Sequence, residues 1–445
     1  MKIAIILIPG IMGSVLEDNG KIVWPGSILE LMRPYNHMDS LRKPDLVATD
    51  VIRSFSLFSQ YDNIIDSLEK AGFQEGSEGN LRVFPYDWRK DNELAATALA
   101  DLIDQFAASL GPDYRITLLA HSMGGLIGRC YLESGIFSNR PGFTTVASLI
   151  TMGTPHRGAP MALSAAVGLE KRLFLSAEQV QEIANNDLFP SLYQLLPPQH
   201  EPFAWNRDVK ENFKPEDIYE VNTAKKLGLS KSNLEAAQRF HKLIDLARRP
   251  LNVRYFFFAG TKEETTSGVQ LVADGIRFSV MKMQRSYSGD GTVPFWSGSQ
   301  SGIQTEPVTG EHGTIYQGRG LKLILGGLLG KRGVLATETA SIEISVNPPV
   351  VNLESTIRVT INLPIGNQTL AGVIRLCRVV ATEGLAPTGK RYTTNFPVNY
   401  SGPEIDHLTI VMKAPEYAGI YEVGFALDTN AEPLAKTSLV VQLAS

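Results

Sequence analysis

Cysteine is almost missing from this chain of 445 residues, which carries two, Cys130 and Cys377. They lie too far apart to form a metal-ligand spacing, and both are expected to be reduced, which suits a cytosolic setting. An excess of positive charge is lacking as well: the formal net charge is −4 and the isoelectric point is near 6.0, with the Lys and Arg residues scattered. Without a basic footprint, nucleic acid is excluded as a partner. No stretch approaches the roughly twenty apolar residues of a spanning helix; Leu321–Leu329 comes nearest, and glycines bound it. The apolar opening, Ile3–Ile8 after Lys2, resembles a signal peptide only superficially. It is shorter than the roughly seven to fifteen residues of such a core and runs into Pro9-Gly10-Ile11-Met12-Gly13 rather than a cleavage site. A first core strand explains it better, and a cytoplasmic location is expected, with non-classical export as the other route. Internal repeats and low-complexity tracts are absent too.

The length implies two domains, or one enlarged domain plus a module. Short apolar runs at 2–8, 81–84, 115–119, 146–151 and 253–259 alternate with helical patterns at 61–71, 92–110 and 124–134. That alternation predicts an α/β fold with a mainly parallel sheet covered on both faces. Between Gly158 and about Arg249 no strand pattern is evident; helical stretches at Ala177–Asn185 and Asn233–Arg248 are interrupted by Pro190, Pro197-Pro198, Pro202 and Pro215. Such an insertion, at about 159–250, belongs over the carboxyl edge of the sheet as a cap. From Ala340 to Ala444 the composition changes to alternating runs, among them Thr356–Leu363, Val373–Val380, His407–Met412 and Tyr417–Leu427. This predicts an antiparallel β-sandwich, Ig-like in outline though without the Cys–Trp–Cys hallmark. The expected division is 1–335 for the α/β unit and 338–445 for the sandwich.

The most informative stretch runs from Arg115 to Ser134. Arg115-Ile116-Thr117-Leu118-Leu119 reads as a buried strand, Ala120-His121-Ser122-Met123-Gly124 as a tight turn, and Gly125–Leu132 as an apolar helix. A serine in such a strand–turn–helix elbow is held in a strained backbone conformation above the sheet edge, and small flanking residues let strand and helix nearly touch. Ala120 stands where glycine is commoner, which keeps the steric logic.

A serine hydroxyl needs a base to take its proton and a carboxylate to orient that base. In this architecture the order along the chain is Ser, acid, His. Asp290, between Gly289 and Gly291, is the candidate acid. Of His200, His241, His312 and His407, only His312 both follows Asp290 and precedes the sandwich, so it is the candidate base. His121 is too close to Ser122 in the turn to serve and is assigned packing or hydrogen bonding; His156 reads as structural. An oxyanion hole needs two preorganised N–H groups. The Met123 amide supplies one, and the glycine-rich turn Pro9–Gly13 the other, through Ile11 before Met12.

With these residues in place the chain resembles the lecithin:cholesterol acyltransferase family. The matching strings are PGIMGS at 9–14, PYDWR at 85–89, AHSMGGL at 120–126, GTPHRG at 153–158, PSLYQLLP at 190–197 and GDGTVP at 289–294, with His312, in the family's order over roughly residues 1–330. The resemblance implies an α/β-hydrolase that cleaves or transfers fatty acyl groups of lipid esters through an acyl-serine. It implies a triad of Ser122, Asp290 and His312 and an oxyanion hole of Ile11 and Met123. The secreted mammalian members carry a signal peptide and a disulfide-closed loop that this chain lacks, and the C-terminal sandwich lies outside the family's usual chain.

The function expected is that of a lipase- or phospholipase-type serine esterase. An O-acyltransferase, in which an alcohol resolves the acyl-enzyme, and a non-catalytic binding protein on a hydrolase scaffold are the alternatives. Met12, Trp88 and Leu192 are the candidate substrate contacts. No metal or organic cofactor is expected, since side chains supply nucleophile, acid and base. A lipid or other ester is the expected substrate, with transient contact to a lipid surface and a protein or glycan partner for the C-terminal unit.

Overall fold

A computed structural model of the chain describes residues 1–26, 35–55, 58–208, 215–331, 342–379 and 393–442. Six strands form the central sheet: β1 (Lys2–Ile8), β2 (Leu81–Val83), β3 (Tyr114–His121), β4 (Val146–Met152), β5 (Arg254–Thr261) and β6 (Gln304–Thr309). Their spatial order is β6-β5-β4-β3-β1-β2, and every pair is parallel. The apolar opening is thus an interior strand, hydrogen-bonded on both sides.

Residue alternation sorts the sheet's side chains into two cores. Ala4, Ile6 and Ile8 of β1 join Ile116, Leu118 and Ala120 of β3 and Tyr255 and Phe257 of β5 on one face. Ile5 and Leu7 join Leu119, Phe256 and Phe258 on the other. Helices α2 (Asn92–Leu110) and α3 (Met123–Glu133) cover the first face through Leu99, Ile103, Leu126 and Ile127. Helices α1 (Asp62–Lys70) and α4 (Arg319–Leu328) cover the second through Ile64, Leu68, Leu321 and Leu325. Helix α2 starts where the sequence permits: the Asp91 carboxylate accepts the Glu93 N–H as an N-cap.

The segment 159–250 is mainly helical, with helices at Met161–Ala166, Ala177–Ala184, Ser191–Gln194, Val221–Leu227 and Lys231–Leu243. It is not free of strands: Ala204–Asn206 pairs in parallel with Val269–Leu271. Three residues are too few to show a period of two, which is why the sequence concealed it. A long hairpin, Glu263–Asp274 with Arg277–Gly289, completes that small sheet and was also not anticipated. Its second arm, RFSVMKMQRSYSG, carries charge on a largely exposed ribbon and lacks the apolar signature of a core strand. β6 escaped for a similar reason, being a polar edge strand, QTEPVT.

Toward the C-terminus the described strands hydrogen-bond as one sheet in the order Glu343–Asn347, Thr356–Val379, Gly419–Ala426, Ala435–Gln442, Val350–Asn352, with Thr393–Lys413 paired along Thr356–Val379. The two runs expected at 356–363 and 373–380 fall, over the described residues, in one continuous strand, Thr356–Val379. Its first part pairs with Glu343–Asn347 and its last part with Gly419–Ala426, so the long strand serves two neighbours in succession. Ile344, Val346, Ile357 and Val359 share a core with Tyr421, Val423, Leu439 and Val441. The sheet is not wholly antiparallel, because Val350–Asn352 runs parallel to Val440–Gln442. The expected boundary at 335–338 lies outside the described residues. No helix among the described residues is long and apolar enough to cross a membrane.

Candidate active site

Ser122 follows β3 directly and caps the N-terminus of α3 with φ 52° and ψ −126°. A non-glycine residue in that region stores on the order of 1–3 kcal/mol of strain unless its surroundings enforce it. Here the Ser122 N–H donates to the Met152 carbonyl (2.9 Å), and the Ser122 carbonyl accepts from Thr154 Oγ1 (2.8 Å) and from the Gly125 N–H (3.0 Å). Backbone crowding enforces the small residues: a Cβ on Gly124 would lie 2.5 Å from the Pro9 carbonyl oxygen.

His312 and Asp290 reach the same point from further along the chain, each beyond the carboxyl end of a sheet strand, where this architecture forms its crevice. His312 Nε2 is 2.8 Å from Ser122 Oγ, and its Nδ1 is 2.8 Å from Asp290 Oδ2. The other carboxylate oxygen, Asp290 Oδ1, accepts the backbone N–H groups of Thr292 (3.0 Å) and Val293 (2.7 Å). The D-G-T-V turn therefore fixes the carboxylate, and Asp290 is 1 % exposed. The three positions singled out in the sequence form one continuous hydrogen-bonded chain.

The turn after β1 lies against the serine. A Cβ on Gly10 would stand 2.8 Å from Ser122 Cβ and 3.3 Å from its Oγ, so the backbone approaches as closely as glycine allows. Three side chains pin this turn: the Gly10 N–H donates to Tyr61 Oη (2.8 Å), Tyr86 Oη donates to the Pro9 carbonyl (2.9 Å), and Trp24 Nε1 donates to the Met12 carbonyl (3.0 Å). Among the described residues the amides of Ile11 and Met123 have no hydrogen-bond acceptor.

Met12 is buried in the main core with φ 61°. Trp88 is buried against Trp24 (ring centroids 5.4 Å apart), and its carbonyl accepts from Ser191 Oγ (2.6 Å). Leu192, partly buried on the short helix Ser191–Gln194, packs on the same cluster. Of the apolar residues in the 159–250 segment, Phe174, Leu175, Phe189, Leu195 and Leu196 are buried in that core, whereas Leu188 is exposed. Arg89, of the PYDWR string, is buried, paired with Asp87 and stacked over Phe189.

Two further histidines are buried beside the site. His156 stacks on Phe257 (3.7 Å), meets Thr151 Oγ1 through Nε2 (3.1 Å), and is held well below the usual imidazole range by burial and by the Arg129 guanidinium. His121 meets Tyr61 Oη through Nδ1 (2.8 Å) and the His312 carbonyl through Nε2 (2.9 Å); burial, with the adjacent His312, lowers its pKa to about 3. Tyr61 escaped the sequence reading because nothing in its local spacing announces a contact with residues 10 and 121. Only the fold brings the start of α1 to that place.

A parallel sheet with helices on both faces and a serine elbow at the carboxyl end of a central strand defines a protein of the α/β-hydrolase type. Residues 46–247 match the family model for lecithin:cholesterol acyltransferase. It is similar to the phospholipase A(1) LCAT3 of Arabidopsis thaliana, 27 % identical over 160 residues, a match covering 33 % of this chain and 33 % of that protein. The match thus spans about a third of the length of that relative. Among solved structures, a chain in the crystal structure of the Tle4-Tli4 complex aligns over 71 % of this chain and 95 % of its own length at 15 % identity, with a TM-score of 0.51. The mature form of the Bacillus licheniformis lipase BlEst2 aligns over 74 % of this chain and 91 % of its own at 15 % identity, with a TM-score of 0.38.

Proposed function

We propose that this protein is a serine hydrolase that cleaves carboxylic esters of lipids, lipase- or phospholipase-like, through an acyl-serine. The observation that carries the reading is the pair of 2.8 Å contacts running Ser122 Oγ to His312 Nε2 and His312 Nδ1 to Asp290 Oδ2. His312 takes the Ser122 proton as Oγ attacks the ester carbonyl; Asp290 holds the imidazole with its proton on Nδ1 and stabilises the imidazolium. The tetrahedral oxyanion is met by the Ile11 and Met123 amides, a kind of donor worth about 3–4 kcal/mol when one is removed elsewhere. The imidazolium then protonates the departing alcohol, and a water activated by the same His312 releases the fatty acid.

Met12, Trp88 and Leu192 are assigned to the acyl side of the site, beneath the cap. Residues 1–335 form the catalytic unit in this reading, and 338–445 form an accessory unit folded like a sandwich that meets a protein or glycan partner; the enzyme touches a lipid surface transiently. The match of residues 46–247 to the lecithin:cholesterol acyltransferase model supports an alternative form of the chemistry, in which an alcohol replaces water and the product is a new ester.

Digestion of a total lipid extract by the protein and by Ser122→Ala, read by mass spectrometry, tests the proposal. Free fatty acid is expected from the parent, and turnover is expected to fall by about a million-fold in the variant, as for triad serines elsewhere. Equal turnover by both ends the reading. Adding a long-chain alcohol separates the two variants of the chemistry, since only transfer yields its ester. A parent protein that no fluorophosphonate labels at Ser122 would favour a binding scaffold.

A further inference from the structure

Behind the serine, two buried residues outside the Ser–His–Asp chain join its two halves. The bond directions follow from counting protons. The His312 carbonyl can only accept, so His121 Nε2, 2.9 Å away, carries a hydrogen. Burial keeps the His121 ring neutral, so its Nδ1 is bare and accepts. The donor to it is Tyr61 Oη at 2.8 Å, whose phenol burial keeps protonated. With its one hydrogen committed, that oxygen accepts the Gly10 N–H at 2.8 Å. The sequence Gly10 N–H to Tyr61 O–H to His121 Nδ1, and His121 Nε2–H to the His312 carbonyl, is complete, and no group in it lacks a partner. Tyr316 closes the cluster, stacked on Tyr61 (5.6 Å) and edge-on to His121 (5.3 Å), with its own hydroxyl donated to the Gln60 carbonyl (2.8 Å).

We propose that Tyr61 and His121 are positioning residues, a buried relay that holds the loop bearing His312 and the Gly10–Ile11 turn in fixed relation to Ser122. This rests on the catalytic roles proposed above. Neither side chain hydrogen-bonds a reacting atom, although the His121 ring lies against the His312 ring (centroids 5.0 Å apart); each acts through the backbone it holds. The relay ties together the group that accepts the serine proton and the turn that offers an oxyanion amide. A displacement on the order of 1 Å in such a pair costs roughly 100-fold in rate, so the relay is a rate-setting feature rather than a binding one.

The test is fluorophosphonate labelling of Ser122, with kcat and KM on a soluble p-nitrophenyl ester, measured on the folded fraction well below each variant's Tm. Tyr61→Phe removes the donor to His121 and the acceptor for Gly10, and is expected to slow labelling and kcat by roughly 10- to 100-fold with KM within about twofold of the parent. His121→Leu is expected to behave alike. His121→Gln, whose amide N–H reaches about as far as Nε2, is expected to recover most of the rate. Labelling of folded Tyr61→Phe at the parent rate, or His121→Gln as slow as His121→Leu, overturns the proposal. A measurement on the unaltered protein decides the matter even where the variants misfold: ring ¹⁵N shifts must show His121 neutral with its proton on Nε2 from pH 5 to 8, and a charged ring or the other tautomer refutes the relay. A parent that itself fails to label at Ser122 condemns the catalytic reading instead.

Discussion

His312 meets Asp290 twice: its backbone N–H donates to the Asp290 carbonyl at 2.8 Å, and its ring Nδ1 faces the Asp290 carboxylate at 2.8 Å. The backbone contact fixes where the imidazole starts and the side-chain contact fixes how it turns, so the proposed base and acid are held as one piece. Two loops that follow different strands are thereby registered at the point where Ser122 stands.

This double attachment makes Asp290→Asn an informative change. The backbone bond survives, and an asparagine Oδ1 still accepts the Thr292 and Val293 amides. The side-chain NH₂ then faces Nδ1 and forces the wrong tautomer on the base. A fall in kcat of about 10⁴-fold is expected, as for the equivalent exchange in serine proteases, with Tm almost unmoved. A loss under tenfold in ester turnover would remove Asp290 from the proposed chemistry.

Gly10 and Gly124 separate crowding at Ser122 from crowding in the scaffold. A methyl on Gly10 meets Ser122 Cβ and Oγ, whereas one on Gly124 meets the Pro9 and Ile8 carbonyl oxygens at 2.5 and 2.7 Å. Gly124→Ala is expected to destabilise the fold by about 1–3 kcal/mol through overpacking, seen in urea unfolding. Gly10→Ala is expected to act first on the rate of serine labelling. Gly313→Ala, beside His312 but with nothing within 4 Å of the added methyl, is the control and should label at the parent rate.

How much of this could be read from the chain depended on where each element is buried. Interior strands such as β1 and β3 announce themselves because both faces are covered and Ile, Leu and Ala run together, and the elbow stands out because only small residues pass between strand and helix. The edge strand β6, the three-residue strand Ala204–Asn206 and the hairpin Glu263–Gly289 carried no such signature, being polar, short or solvent-facing. The two runs at 356–363 and 373–380 read as separate because Pro364, Gly366 and Asn367 interrupt the alternation, yet the strand passes through them. At the site, the meeting of Ser122, Asp290 and His312 was legible from residue type and chain order. Tyr61, whose hydroxyl reaches Gly10 and His121 from the residue just before α1, was not.

The helix behind the elbow holds a buried ion pair whose removal should be felt as stability. Arg129 Nε and Nη2 each lie 2.9 Å from a carboxylate oxygen of Glu133, Nη1 donates to the His156 carbonyl (3.2 Å), and both side chains are nearly inaccessible. Deleting one partner strands the other charge in the core. Glu133→Ala is expected to cost about 3–5 kcal/mol, and Arg129→Met with Glu133→Leu to regain most of it. A single-variant cost under about 1 kcal/mol in urea titration would show that water reaches the pair.

The loop bearing His312 also makes the stability of the protein depend on pH at its junction with the C-terminal sheet. Glu311 is pushed up to about 7, chiefly by burial, with Glu263 nearby adding to the shift and the Asn347 side chain and Arg358 opposing it. Glu263, itself raised by burial, pairs with Arg358 at 3.5 Å, and Lys262 and His407 line the same cleft. Because the folded chain holds the Glu311 proton more tightly than the unfolded chain does, its contribution is fully present below the ordinary carboxyl value of 4.5 and is lost as pH rises through about 7. The whole effect is at most about 3 kcal/mol. Glu311→Gln, which keeps a neutral amide in that place, is expected to flatten the fall in stability between pH 5 and 8 without touching the His312 ring contacts. Urea unfolding across that range reads it directly: parent and variant curves that stay parallel would mean that Glu311 remains solvated and that the junction does not sense pH.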